Sequence, residues 1–589
     1  MQRIQQRQQT WWIFVVMGLA GPPAVDAKSR PDVDLAYRFT LVRSPVVAVQ
    51  VALQCQGSDS SATWFGVSRE WGGVDTGGDD LANAAASGPH GETLAVTHPE
   101  PHRWRVQHVP GTPICFTYEI PANTHQDDSS PNTNRRPLVN EHLFHMYGDL
   151  GLVGPVGLDE AERRRVSVTW SDFESAGWTV AGSFGVGTRT RAFSTTIGLL
   201  HSSVWIAGDV ELVRRDIKGR PLWIAVQRAP WSFQATEFAD MAHTIVRMER
   251  DFFDDYDYPF YLITVIPVGK AGSGSRSMGG AGLTNSFSLC MIPDTPLRGD
   301  FGQSLNVAGL LAHEMFHQWD GHTIMPLDPE ERCYWFTEGF TDFYMRRLLY
   351  RNGLVSNDEF AASVNKKLAD LWTSDVRNAP NERIHADFWK NDTVKRLPYL
   401  RGDVVAMIVD HGIRVGSNGK RSLDDLMREL VRDGKSHRGK VSTDFLLERF
   451  AQAAGPEVGA QVRSIVLEGT TPVLAPGTFA PCFTVREQEI TPFELGFDAK
   501  RTREIREISG VLPGSAAARA GLKDGQKLGA MSVFYGDVNR PVVVTILDNG
   551  QRREIEYPPQ GAPVRALRIT PVAPDSASTA PVPARCAGL

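Results

Sequence analysis

The sequence predicts a multidomain α+β protein, and three observations carry that prediction. Apolar residues alternate over 30–210, recur at helical spacing in a series of segments between 235 and 454, and return to short strand-like runs from 480 onward. At 589 residues the chain is several times the length of an ordinary domain, so it needs more than one core.

In the first region Val33, Leu35, Tyr37, Phe39 and Leu41, and later Val166, Val168 and Trp170, occupy every second position. That period sends alternate side chains to opposite faces of a strand, and Gly, Pro and Asn clusters separate the runs, which predicts an antiparallel β domain over 28–210. Two stretches rich in small and polar residues, Gly77 to Gly91 and Thr124 to Arg136, read as long loops. Ahead of this domain Arg3 and Arg7 precede the apolar run Trp11 to Ala20 and then Val25-Asp26-Ala27. Basic, apolar and small-residue regions in that order predict a cleavable secretion signal over 1–27, hence a periplasmic or extracellular protein. An uncleaved anchor is the alternative, and the run is short for a bilayer. No later segment is long and apolar enough for a membrane span in the mature chain. A net charge of -6 offers no basic excess to neutralise phosphates, so no nucleic-acid partner is expected.

Six cysteines, an even number in an exported chain, predict three disulfides. Pairing within domains would join Cys55 to Cys115, Cys290 to Cys333, and Cys482 to Cys586. None lies in a C-x-x-C arrangement, so sulfur is not expected to hold a metal or to carry redox chemistry.

The middle region, 211–478, is mixed but mostly helical. Phe238, Met241, Ile245 and Met248 share one face of a helix over 235–253, and further helices are predicted over 304–319, 337–352, 356–374, 399–413, 422–433 and 443–454. A strand, Tyr261 to Ile266, and a glycine-rich stretch ending Gly279-Gly280-Ala281-Gly282 lie between the first helix and the rest.

Within the second of these helices stands His313-Glu314-Met315-Phe316-His317. Two histidines four apart project from one helix face and can grip a single metal ion, while Glu314 can reach a water on that ion without binding it, as a general base requires. A catalytic zinc needs a third protein ligand and an open position. Glu338, in Trp335-Phe336-Thr337-Glu338-Gly339-Phe340-Thr341-Asp342, supplies it, and Asp342, one turn on, can accept the free N–H of a ligand imidazole. A second histidine pair, His142 and His145 in Glu141 to His145, lacks helical context and a third ligand. Asp320 and His322 follow the motif closely without a defined role.

These residues carry a resemblance. H-E-M-F-H-Q-W-D followed by W-F-T-E-G-F-T-D-F-Y resembles the glycyl aminopeptidase family of zinc peptidases, within the thermolysin-like group whose third ligand is glutamate. The resemblance implies one zinc ion per chain, peptide or protein substrates, and a layout of β-rich N-terminal domain, thermolysin-like catalytic domain over 211–478 and PDZ-like domain over 479–575, before a Pro-, Ala- and Ser-rich tail at 576–589. Tyr399-Leu400-Arg401-Gly402 resembles the segment in which related aminopeptidases place an oxyanion-binding tyrosine, which implies that role for Tyr399. Leu495-Gly496-Phe497 and Gly514 to Leu522 resemble a PDZ domain, which departs from the pattern at Gln526. Gly279 and Gly280 fall in the substrate-binding segment, but Gly282 stands where the family has the glutamate that holds a substrate amine. The expected function is therefore an aminopeptidase-like zinc peptidase. Endopeptidase action, and a catalytically silent peptide-binding scaffold, are the alternatives.

Overall fold

The computed structural model describes residues 33–572, apart from 72–73, 76–77, 129–134, 273–276, 298–305, 438–439 and 549–550. The expected secretion signal and the tail lie outside the described residues. No described helix is long and apolar enough to cross a membrane.

The alternating N-terminal segments form sheets. A seven-stranded sheet is centred on Leu35–Val42 and Ala48–Gln56, and Leu35, Tyr37, Phe39 and Leu41 all turn into the core as the period of two requires. Its pairings are antiparallel except one, in which Leu35–Val42 runs parallel to Arg163–Ser171. The all-antiparallel expectation fails there because two strands distant in sequence are brought together by a long connection, which alternation cannot reveal. The predicted loop at 77–91 also contains a strand, Ala82–Ser87, whose backbone pairs with Pro113–Pro121. Its alanines carry little strand signal of their own, and the neighbour supplies the ladder.

A five-stranded sheet opens the middle region, in the order Val210–Ile217, Arg220–Gln227, Tyr261–Pro267, Ser286–Met291 and Met278–Leu283, so the glycine-rich strand is at its edge. One face meets the N-terminal domain through Leu143, Tyr147, Ile206 and Leu262. The other is covered by helix Ala235–Phe253 and then by the remaining helices, in the largest core of the molecule. The predicted helices form, with shifted ends: Val307–Phe316, Gly339–Arg351, Asn357–Thr373, Leu423–His437 and Thr443–Ala454. The helix expected to open at Tyr399 begins instead at Asp392, capped by the Asn391 side chain, and runs through Pro398 to Gly416. A proline within a helix removes one backbone bond and usually marks an end, but here dense burial of the helix holds it together.

The C-terminal region contains two packing units. Val542, Val544, Ile546, Leu522 and Phe497 form a small separate core around the strands Lys527–Ser532, Val542–Asp548 and Gln551–Tyr557. The flanking pair Phe483–Ile490 and Val564–Pro571 instead buries Phe483, Val485 and Ile569 in the core of the middle region.

Two of the three expected disulfides are absent. Cys55, Cys115, Cys290 and Cys333 form no disulfide. Cys55 lies opposite Ile114 on the adjacent strand, so Cys115, one residue on, points to the other face of the sheet. Cys290 lies on a strand of the middle sheet while Cys333 lies on helix Glu330–Thr337, where it contacts Thr443. Cys482 is disulfide-bonded, and Cys586 lies outside the described residues.

Candidate metal centre

Helix Val307–Phe316 starts at Asn306, whose side chain accepts the Gly309 N–H. Leu311, Ala312, Met315 and Phe316 bury its apolar faces, against helices Ala235–Phe253 and Gly339–Arg351 and the edge strand. His313 and Glu314 occupy the last turn. His317 is the residue that ends the helix, but its φ of -61° and ψ of -14° keep it right-handed, so both imidazoles stay on one side.

Glu338 sits at the junction of helices Glu330–Thr337 and Gly339–Arg351. At that junction the chain makes a very close helix crossing. A Cβ on Gly339 would lie 2.4 Å from the Gly402 Cα, and one on Gly402 only 1.7 Å from the Trp335 carbonyl oxygen. Only glycine at both positions allows this approach, and it brings Tyr399, one turn before Gly402, to the metal site. The Tyr399 and His313 rings stack with centroids 6.2 Å apart.

Three donor atoms converge. His313 Nε2 is 3.2 Å from His317 Nε2 and 3.1 Å from Glu338 Oε2, which is 3.5 Å from His317 Nε2. Three ligands at tetrahedral corners around zinc, with bonds of about 2.05 Å, would be about 3.3 Å apart. The observed triangle therefore fits the ion with little adjustment. Two imidazoles and one carboxylate also leave a fourth position for water or substrate. Behind the donors, His313 Nδ1 lies 3.0 Å from Asp342 Oδ1 and His317 Nδ1 lies 2.9 Å from the Asp320 carbonyl oxygen. Each imidazole thus donates from Nδ1 and presents the Nε2 lone pair to the cluster. Among the described residues, this is the group of His, Cys, Asp or Glu side chains close enough together to hold a metal ion.

The surrounding carboxylates also favour protonated imidazoles, and a metal ion that binds would displace the Nε2 protons. Burial opposes charge on both histidines, but Asp342 and Glu338 beside His313, and Glu338 beside His317, outweigh it and raise both above the ordinary imidazole range. Burial likewise opposes ionisation of Glu338 and Asp342. The histidines hold Glu338 well below the usual carboxyl range, and Lys367 with His313 does the same for Asp342. Burial, reinforced by Glu338, Asp342 and Glu314, pushes the Tyr399 phenol well up, so it stays protonated and able to donate.

The remaining residues sort themselves by position. Glu314 lies beside the edge strand, where a Cβ on Gly282 would be 3.9 Å from the Glu314 Oε2. Gly279 has open space at its Cβ position, whereas at Gly280 the Phe287 ring fills it, 2.3 Å away, so Gly280 serves sheet packing. His145 is remote from the cluster and bonds Ser288 Oγ at 3.0 Å between the two sheets, while His142 and His322 are exposed. Two participants escaped sequence reasoning. The Asp320 group that holds His317 is a main-chain carbonyl, which has no residue signature, and Lys367 reaches Asp342 from a separate helix.

Residues 306–385 match the M61 glycyl aminopeptidase family. The matched segment contains both histidines, Glu314, Glu338, Asp342 and Lys367. Over 134 residues the chain is 30% identical to mouse (Mus musculus) glutamyl aminopeptidase and 31% identical to that of the rat (Rattus norvegicus). Each match spans 22% of this chain but only 13% of the relative's length. An aminopeptidase N family protein from Idiomarina loihiensis has a similar structure, with a TM-score of 0.69 and 15% identity over 91% of this chain and 98% of that one. An M1 zinc metallopeptidase from Deinococcus radiodurans gives a TM-score of 0.47 and 17% identity over 75% of this chain and 95% of that one. The family match thus falls on the segment that holds the donor cluster, and the likeness to the Idiomarina loihiensis protein shows an aminopeptidase N-like fold.

Proposed function

We propose that this protein is an exported zinc peptidase, aminopeptidase-like, that cuts peptide or protein substrates in the periplasm or outside the cell. The observation that carries this reading is the triangle of His313, His317 and Glu338 donor atoms with edges of 3.1–3.5 Å. One zinc ion held there would polarise a substrate carbonyl and lower the pKa of a bound water towards about 7.

The chain's own groups supply the rest. Glu314 takes the proton of the attacking water and returns it to the leaving amine. The Tyr399 hydroxyl donates to the oxyanion as it develops, and the tightly crossed helices hold that donor in place before the reaction begins. The edge strand Met278–Leu283 offers backbone groups to an extended peptide alongside Glu314. Changing Glu314 to Gln keeps the shape of the side chain but removes the base. The expected result is a loss of turnover on the order of 10²–10⁴-fold with zinc content unchanged, and undiminished hydrolysis would sink the assignment.

A second reading concerns the position of the cut. Gly282 provides no carboxylate for a substrate ammonium, a bond worth about 1.5–3 kcal/mol. That favours internal cleavage or a relaxed end requirement. Comparing one peptide with a free and with an acetylated N-terminus separates the two: equal cleavage supports an endopeptidase, and strict dependence on the free amine supports an aminopeptidase. A catalytically silent scaffold is disfavoured by the complete donor set together with Glu314.

The region 479–575 is read as PDZ-like. Its separate core and the left-handed Gly496 (φ +79°), packed against Ser515 and Ala517, are the supporting observations. A groove there would bind the C-terminal end of a substrate or partner peptide. Absence of binding of such peptides to the full chain would leave this region a purely architectural role.

A further inference from the structure

Lys367 lies on helix Asn357–Thr373, outside the H-E-x-x-H and glutamate segments, yet its ammonium group pairs with Asp342 Oδ2. The other oxygen of that carboxylate accepts from His313 Nδ1 at 3.0 Å. We propose that Lys367 is a positioning residue of the metal centre, fixing Asp342 so that Asp342 fixes the His313 ring. The inference rests on the zinc reading above and adds to it a residue on a third helix.

The neighbouring lysine shows that this placement is not a default. Lys366 stays on the outer face and pairs with Asp370 within its own helix, at 3.1 Å and with 43% of its side chain exposed. The Lys367 side chain is 23% exposed and turns inward to a carboxylate only 5% exposed. A lysine gives up hydration and rotamer freedom to reach such a site, and the pairing offsets that cost because the buried Asp342 carboxylate needs a countercharge. The nearby carboxylates have partners of their own, Asp403 with Arg346 and Glu338 with the two histidines. Without Lys367, Asp342 would be a buried carboxylate with His313 as its one partner, its second oxygen unpaired and the side chain free to turn.

The helix that presents Lys367 is firmly held. Phe360, Val364, Leu368 and Leu371 are buried in the central core. Asn365 makes two bonds to the main chain of Ile569, at 2.9 and 2.7 Å, so the C-terminal strand Val564–Pro571 braces the same helix. The ammonium is thus presented from a rigid support, as a group that orients a ligand through an intermediate must be.

The test is zinc affinity by competition with a chromogenic chelator, on the full chain and on the Lys367→Met and Lys367→Arg variants, with the visible spectrum of the cobalt-substituted proteins as a second readout. The expected result is at least about 10-fold weaker zinc binding and an altered cobalt spectrum for Lys367→Met, with most of the affinity restored in Lys367→Arg. The zinc-free Lys367→Arg protein should melt as the wild type does, whereas zinc-free Lys367→Met melts lower because Asp342 is left buried with one partner fewer. Wild-type affinity and spectrum in Lys367→Met would overturn the proposal while leaving the zinc reading intact. Equal losses in both variants, accompanied by lower melting of the zinc-free protein, would assign Lys367 a packing role and overturn it as well. A wild-type chain that binds no zinc would remove both readings.

Discussion

Replacing Gly402 by Ala adds one methyl group at the point where helix Asp392–Gly416 crosses the end of helix Glu330–Thr337. The new Cβ would sit 1.7 Å from the Trp335 carbonyl oxygen and 2.8 Å from the Gly339 Cα. Real Cβ contacts essentially never fall below 3.0 Å, so the backbones must part by about 1.3 Å, and both are rigid, buried helix. Overpacking of this kind costs about 1–3 kcal/mol of stability. The displacement also moves Tyr399, one turn away, relative to Glu338, and a misplacement of about 1 Å near a reacting centre can lower turnover about 10²-fold. The assay is turnover on a peptide substrate combined with thermal melting of the same preparation. Gly416→Ala, in the last residue of the same helix with nothing within 4 Å of its Cβ position, is the control. It should leave turnover unchanged and stabilise by no more than about 1 kcal/mol. Turnover and melting of Gly402→Ala indistinguishable from wild type would refute the argument that this crossing positions Tyr399.

Tyr399→Phe should retain zinc and lower kcat by about 10²–10³-fold with little change in KM, since the hydroxyl acts on the oxyanion and not on the bound substrate. A change confined to KM would deny that role. The protein denatured without reductant should react with four equivalents of a thiol reagent, at the four cysteines outside any disulfide, whereas a count of zero would restore the three-disulfide scheme. His145 gives a pH test away from the metal site. Burial lowers its pKa from 6.5 to about 3, so between these values the unfolded chain binds a proton that the folded one does not. Its contribution to stability is therefore intact above pH 6.5 and is lost as pH falls towards 3, at about 1.4 kcal/mol per pH unit at most. His145→Gln should flatten that part of the pH dependence of the denaturation midpoint, and an unchanged slope would contradict the assignment.

The sequence alone determined the order β-rich, mostly helical, β-rich, because periods of two and of 3.6 residues are local properties that burial of one face imposes on the chain. It also picked out the three side chains of the proposed metal site. The spacing of His313 and His317 is set by the helix repeat, and Glu338 is marked by an ionisable residue standing among aromatic ones. Wherever contact depends on chain segments meeting from a distance, the tertiary structure decided. The parallel pairing of Leu35–Val42, the strand at Ala82–Ser87 and the reduced state of Cys55, Cys115, Cys290 and Cys333 all follow from neighbours that no local pattern specifies. The same holds inside the site. Tyr399 owes its place to two glycines 63 residues apart, Gly339 and Gly402, whose contact is invisible until the helices cross. His317 is oriented by a carbonyl at Asp320, and Asp342 by Lys367 on another helix. Ligand identity is written in side-chain type and spacing, whereas ligand orientation depends on backbone groups and charges that only the folded chain brings together.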